Sequence, residues 1–130
     1  QDPTRSYLLM AGDPPRLSVL DIAGMELGSL RLVTLSACQS ALADRRPELG
    51  WDLCSLADAF GFAGSPSLVA SLWKVDDTAT RELMGSFYTG LAAGRSRGQA
   101  LQEAQLAQLR SPARRHPFYW ASFELLGDWR

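Results

Sequence analysis

Two apolar runs limit what this chain can fold into: "LRLVTL", residues 30–35, and "PSLVASLW", residues 66–73. Neither alternates apolar with polar residues, as a half-exposed strand does. Runs this continuous and this short predict strands covered on both faces, and Leu30, Leu32, Val33 and Leu35 fit a central strand. Between the runs lies "WDLCSLADAFGFAG". Its Leu53, Leu56, Ala57, Phe60 and Ala63 recur at helical spacing, and Gly64 is a natural stop.

The remaining segments extend the alternation. "SYLLMAGD" predicts a short strand ending at the turn signal Gly12-Asp13-Pro14-Pro15. Ser18 is placed to cap a short helix over Val19 to Ala23, stopped by Gly24. "DDTATRELMGSFYTGLAAG" carries Ala79, Leu83, Phe87 and Leu91 on one helical stripe and ends at Gly94. Ser96 and Gln99 form a capping box that opens another helix, running to about Arg110. Pro112 and Pro117 bracket a basic loop. In "FYWASFELLG" the alternation of Tyr119, Ala121, Phe123 and Leu125 with Trp120, Ser122, Glu124 and Leu126 predicts a last strand. Strands alternating with helices imply one α/β domain: a largely parallel sheet with helices on both faces. In such sheets ligands gather beyond the carboxyl ends of the strands.

Charge and composition exclude several classes. With 13 basic and 14 acidic residues, the net charge of −1 leaves no electrostatic footprint for nucleic acid or an anionic membrane. No apolar run reaches the roughly 20 residues of a membrane span. No signal peptide is evident at the start, and the composition predicts a cytoplasmic protein. The chain opens on Gln1 rather than Met, which predicts a piece of a longer protein. Phosphate-binding glycine loops, HExxH and GxSxG are missing, and one histidine with two cysteines cannot complete a zinc site.

The candidate chemistry sits after the two apolar runs. Cys38 ends the first, in "SACQS", among small neighbours that leave room for a substrate carbonyl. A thiol fixed at a strand end suits a nucleophile, provided a base removes its proton; a buried structural cysteine is the alternative. Asp76 and Asp77 follow the second run. Aspartates before a helix serve as caps and favour its dipole, and they also suit an acidic pocket for a basic side chain. Cys54 is expected to pack on its helix. His116, in "RRHPFYW", has no spacing that brings it to Cys38 and is expected to be structural or exposed.

Three segments in order, "LVTLSACQSA", "DLCSLADAFGFAGSPSLVASLWKVDDTATRELMGSFYTGLAAGRSRGQALQEAQ" and "HPFYWASFELLGD", resemble the CHAT domain. That family is caspase-like, similar to the clan CD cysteine peptidases, and often accompanies tetratricopeptide repeats in bacterial proteins. The resemblance implies a caspase-like three-layer sandwich with a mostly parallel sheet. It makes residues 1–130 the C-terminal portion of a single domain, incomplete at its N-terminal side. The family's nucleophile falls on Cys38. Its base, the histidine of a His-Gly pair, would lie upstream of Gln1, together with half of the oxyanion hole; the Cys38 backbone N–H would be the other half. "LWKVDD" resembles a separase motif whose second acid receives an arginine side chain, and that acid falls on Asp77, with Asp76 beside it.

The expected activity is therefore that of a cysteine endopeptidase acting on a protein or peptide substrate, with no metal or organic cofactor implied. This chain by itself would be inactive or nearly so. Expected partners are a regulatory repeat domain in the parent chain and, through a sheet edge left unpaired, a second copy. Two other classes compete: a non-catalytic caspase-like scaffold, and a flavodoxin-like small-molecule binder, which the missing phosphate loop disfavours.

Overall fold

The computed structural model describes residues 7–11, 13, 16–36 and 49–130. Cys38 and its flanking residues 37–48 lie outside the described residues. The elements run β1 (Tyr7–Leu9), β2 (Arg16–Ser18), α1 (Val19–Ala23), β3 (Val33–Leu35), α2 (Leu49–Phe62), β4 (Ser67–Ser71), α3 (Asp77–Ala92), α4 (Arg97–Arg110), α5 (Pro117–Trp120) and β5 (Phe123–Gly127).

β4 is the centre of a three-stranded sheet ordered β3-β4-β5. It pairs parallel with β3, Leu35 opposite Ala70, and antiparallel with β5, Ser71 opposite Phe123. The sheet is thus mixed, where the pattern predicts a largely parallel one. The cause is helix count. One helix, α2, returns the chain to begin β4 in the direction of β3. Between β4 and β5 stand two long helices, and the second undoes the reversal made by the first. Their pairing is visible in the contacts: a Cβ built on Gly90 would meet the Ala100 Cβ at 3.1 Å, and Gln108 donates to Glu82 at 3.5 Å. α3 and α4 are therefore an antiparallel hairpin.

Side chains of β4 alternate between two cores, as a strand covered on both faces requires. Val69 joins Phe123 against Leu83, Phe87, Ala100 and Ala104 of α3 and α4. Leu68 and Ala70 join Leu56, Ala59 and Phe60 of α2, Ile22 of α1 and Leu8 of β1. All five residues of β4 are buried. Each fully buried aliphatic or aromatic side chain contributes about 1.5–3 kcal/mol, so the two cores together hold the helices onto the sheet.

β3 differs from its sequence-based expectation. It is half-buried along its length and stands at the end of the strand order among the described residues, not in the middle. The last apolar segment also divides. Pro117 occupies the first turn of α5, where its missing N–H costs nothing, and His116 caps it. The chain becomes extended only at Phe123, so a strand beginning at Phe118 is corrected to a helical turn plus a shorter strand. Gln105 of α4 donates to the carbonyls of Trp120 at 3.2 Å and Phe123 at 2.9 Å, which fixes that junction.

The caps match the sequence. Ser18 and Ser96 both form complete capping boxes, with Asp21 and Gln99. Gly64 and Gly94 follow their helices with φ of 106° and 81°, a backbone that side chains resist. β1 and β2 form a separate antiparallel hairpin, Tyr7 opposite Ser18, with the Arg16 guanidinium 4.5 Å above the Tyr7 ring.

Candidate functional site

Parallel pairing sends β3 and β4 out of the sheet at the same edge. The chain leaves β3 through Ser36, toward the segment that carries Cys38. It leaves β4 through Leu72, Trp73, Lys74 and Val75 to reach Asp76 and Asp77.

That second exit is pinned at several points. Val75 is buried in the α3–α4 core. The Leu72 N–H donates to the Ser122 carbonyl at 2.7 Å, and the Trp73 indole N–H donates to the Phe118 carbonyl at 3.0 Å. Trp73 is a tethered aromatic at the sheet edge, more than a third exposed, as is Phe118. Asp76 is the N-cap of α3: its Oδ1 accepts from the Ala79 N–H at 2.9 Å, and its carbonyl from the Thr80 N–H at 3.0 Å. The same Oδ1 lies 3.3 Å from the Arg114 guanidinium.

Asp77 is different. It is the first residue of α3, exposed like Asp76, but its carboxylate makes no hydrogen bond or ion pair among the described residues. The adjacent aspartates therefore occupy distinct roles: one is bound into the fold as cap and ion-pair partner, and the other projects from the first helical turn. A negative charge there is favoured by the positive end of the helix dipole.

Arg114 escaped the sequence reading. It belongs to the basic loop between Pro112 and Pro117, 38 residues from its partner Asp76. The only signal was that loop's charge, which names no partner. Its other contacts are Glu82 at 3.4 Å and the Tyr119 ring, whose centroid lies 5.4 Å from the guanidinium carbon.

His116 is exposed, and its Nδ1 accepts from the Phe118 N–H at 3.2 Å, so it caps α5. Cys54 is a correction. It is exposed on α2 instead of packed, because the buried stripe of that helix runs through Leu56, Ala59, Phe60 and Ala63. It borders an open groove with Ala57, Asp58, Gly61 and Gly127, at the opposite, amino end of β4. Among the described residues no three His, Cys, Asp or Glu side chains stand together as a metal site, and no helix is long and apolar enough to cross a membrane.

The sequence profile of the CHAT domain family matches residues 1–128. The chain belongs to the CHAT family. Two curated relatives are similar over 112 residues, 86% of this chain: mouse tetratricopeptide repeat protein 28, 32% identical, and its human counterpart, 31% identical. Both relatives are mammalian, so the family context is not confined to bacteria. The matched stretch is 4% of each relative's length. Membership relates this CHAT chain to caspase-like peptidases and sets its strand-edge residues in that context.

Proposed function

We propose that this chain is the nucleophile-bearing part of a caspase-like cysteine endopeptidase domain, built as a three-layer sandwich within a larger protein that also carries tetratricopeptide repeats. The observation that carries the proposal is the parallel β3–β4 pairing, which puts the carboxyl end of β3, at Leu35, and the Trp73–Asp77 exit at one sheet edge. Family membership and the repeat-protein names of the relatives support it.

In this reading the Cys38 thiol loses its proton to a histidine upstream of Gln1 in the parent. The thiolate attacks the peptide carbonyl, and the oxyanion is met in part by the Cys38 backbone N–H. The histidine returns its proton to the leaving amine, and water then hydrolyses the thioester. Asp77 receives the basic side chain preceding the cut, Arg before Lys, because a guanidinium can engage a carboxylate with two donors. Asp76 supports Asp77 through the cap. The outer edge of β3 has no strand partner among the described residues. A preceding strand of the parent would cover it, and in the isolated chain a second copy would.

The test uses the parent protein and matched peptides with Arg, Met or Asp before the bond. Cys38→Ala is expected to abolish cleavage. Asp77→Asn is expected to lower kcat/KM for the Arg peptide by about 10- to 100-fold, the size of a lost charge-assisted hydrogen bond, with little change for Met. Retained cleavage in Cys38→Ala would remove the nucleophile assignment, and a parent lacking activity in both forms would favour the scaffold class. Iodoacetamide labelling of Cys38 must be read in a Cys54→Ser background, because Cys54 is exposed and will itself react.

A further inference from the structure

Arg114 is held by three side chains at once. Its Nη1 lies 3.3 Å from Asp76 Oδ1, its Nε lies 3.4 Å from Glu82 Oε2, and its guanidinium carbon stands 5.4 Å from the Tyr119 ring centroid. Its side chain is only 19% exposed, against 48% for Asp76 and 52% for Glu82. Glu82 accepts a second hydrogen bond from Gln108, which is buried in α4. The cation therefore ties the loop after α4 to both the cap and the second turn of α3.

The planar guanidinium suits this use. Separate N–H groups reach the two carboxylates while its face lies against an aromatic ring, a combination an ammonium group does not reproduce. Two consequences follow for the strand edge. The charge of Asp76 is met by a fixed cation, so Asp76 offers little to an incoming basic group. The first turn of α3 is bracketed by that one cation, at its cap and just beyond it, which constrains the direction in which Asp77 leaves the helix.

We propose that Arg114 is a positioning residue for substrate selection: by holding Asp76 as an ion-paired cap, it leaves Asp77 as the unpaired carboxylate of the two for a peptide's basic side chain. The inference rests on the proposed role of Asp77 and adds the group that makes that role selective. Without Arg114, the turn that carries Asp77 would loosen, and its carboxylate would no longer be held where a guanidinium can meet it with two donors.

The test measures binding, so it does not depend on turnover. The parent protein carrying Cys38→Ala is titrated with fluorescein-labelled hexapeptides that differ only in having Arg or Met at the contact position. Fluorescence polarisation then gives the preference as a ratio of dissociation constants. Arg114→Gln is expected to reduce the Arg-over-Met preference by about tenfold, while Met-peptide affinity stays within about twofold. Arg114→Lys should restore part of the preference, since it returns the charge without the fork. Glu82→Gln cuts the opposite side of the same clamp and should give a smaller loss in the same direction. It also serves if Arg114→Gln does not fold.

An unchanged preference in both Arg114→Gln and Glu82→Gln, even with a lowered Tm, overturns the proposal and leaves Arg114 a structural tie. A rising preference overturns it too, since Asp76 would then be a suppressed contact. Asp77→Asn separates the two levels. If it abolishes the preference while Arg114→Gln keeps it, only the role of Arg114 fails. If the Arg peptide binds no tighter than the Met peptide in the starting protein, or Asp77→Asn changes nothing, the Asp77 reading fails and takes this inference with it.

Discussion

The two faces of the sheet are built differently. On one, α3 and α4 are a continuous helical hairpin with side-chain caps at both N-termini and a short connection through Gly94. Its core residues Ala79, Leu83, Phe87 and Ala100 are completely buried. On the other, the core is assembled from β1, β2 and α1 together with α2, which starts only at Leu49, and its outer side chains remain open: Phe62 is 84% exposed and Leu20 64%. The link there depends on backbone contacts between remote segments. The Leu27 N–H donates to the Ala63 carbonyl at 2.7 Å, and the Gly64 Cα has Gly28 so close that a Cβ would meet it at 2.9 Å. A face made from adjacent sequence can be stabilised by local rules, whereas a face made from remote pieces depends on how those pieces meet.

The largest expected effect separates the two cores. Phe87→Ala should cost about 3–5 kcal/mol, because its site is enclosed and cannot collapse. Leu56→Ala, 2% exposed but on the more open face, should fall toward the lower end of the roughly 2–5 kcal/mol range for such truncations. Urea unfolding with matched m-values measures both. A larger loss at Leu56 would break the comparison.

A pair of glycines in α3 sharpens it within one helix. Gly85 has nothing within 4 Å of an added Cβ, so Gly85→Ala should stabilise by about 0.5–1 kcal/mol through helix propensity alone. At Gly90 the new methyl meets the Ala100 Cβ at 3.1 Å and its Cα at 3.3 Å, so Gly90→Ala should lower Tm. Equal gains at both positions would show that the hairpin packs less closely than these distances require.

The smallest effect lies on the remote-segment face and is visible only in acid. The Ser18 hydroxyl and backbone N–H donate to the Asp21 carboxylate, at 2.6 and 2.8 Å, and hold its pKa below the ordinary value of 3.8. Its unfolded form thus binds a proton at higher pH than its folded form. The resulting stabilisation is present above the ordinary value and fades as the pH falls through the lowered folded one. Asp21→Asn should flatten that part of the stability–pH curve and leave the α3–α4 face unaffected. An unchanged acid limb in Asp21→Asn would show that the capping box does not stabilise α1.

Much of the fold was legible because its signals are local. Ser18, Ser96 and Gln99 announce caps through their own spacing, and Gly64 and Gly94 mark stops because a following left-handed residue costs glycine little. The apolar runs identified β3 and β4, since a strand with helices on both faces needs no polar side. "FYWASF" misled because its alternation fits a strand as well as a turn opened by Pro117, and periodicity over six residues cannot separate them. Cys54 misled for a related reason: its position borders the helical stripe, and a few tens of degrees of helix rotation decide between core and solvent.

What the sequence determined by itself is therefore what short-range chemistry specifies: helix limits, the apolar strands, CHAT membership, and the candidates Cys38, Asp76 and Asp77. Only the tertiary structure decided that β5 runs antiparallel, because that follows from how α3 packs on α4. It alone set Arg114 against Asp76 and left the Asp77 carboxylate unpaired among the described residues, although the two aspartates are chemically identical neighbours. Asp76 is set apart by its cap to the Ala79 N–H and by a cation 38 residues away. No local rule encodes such a contact, because it exists only once two helices and a loop have closed over the end of β4.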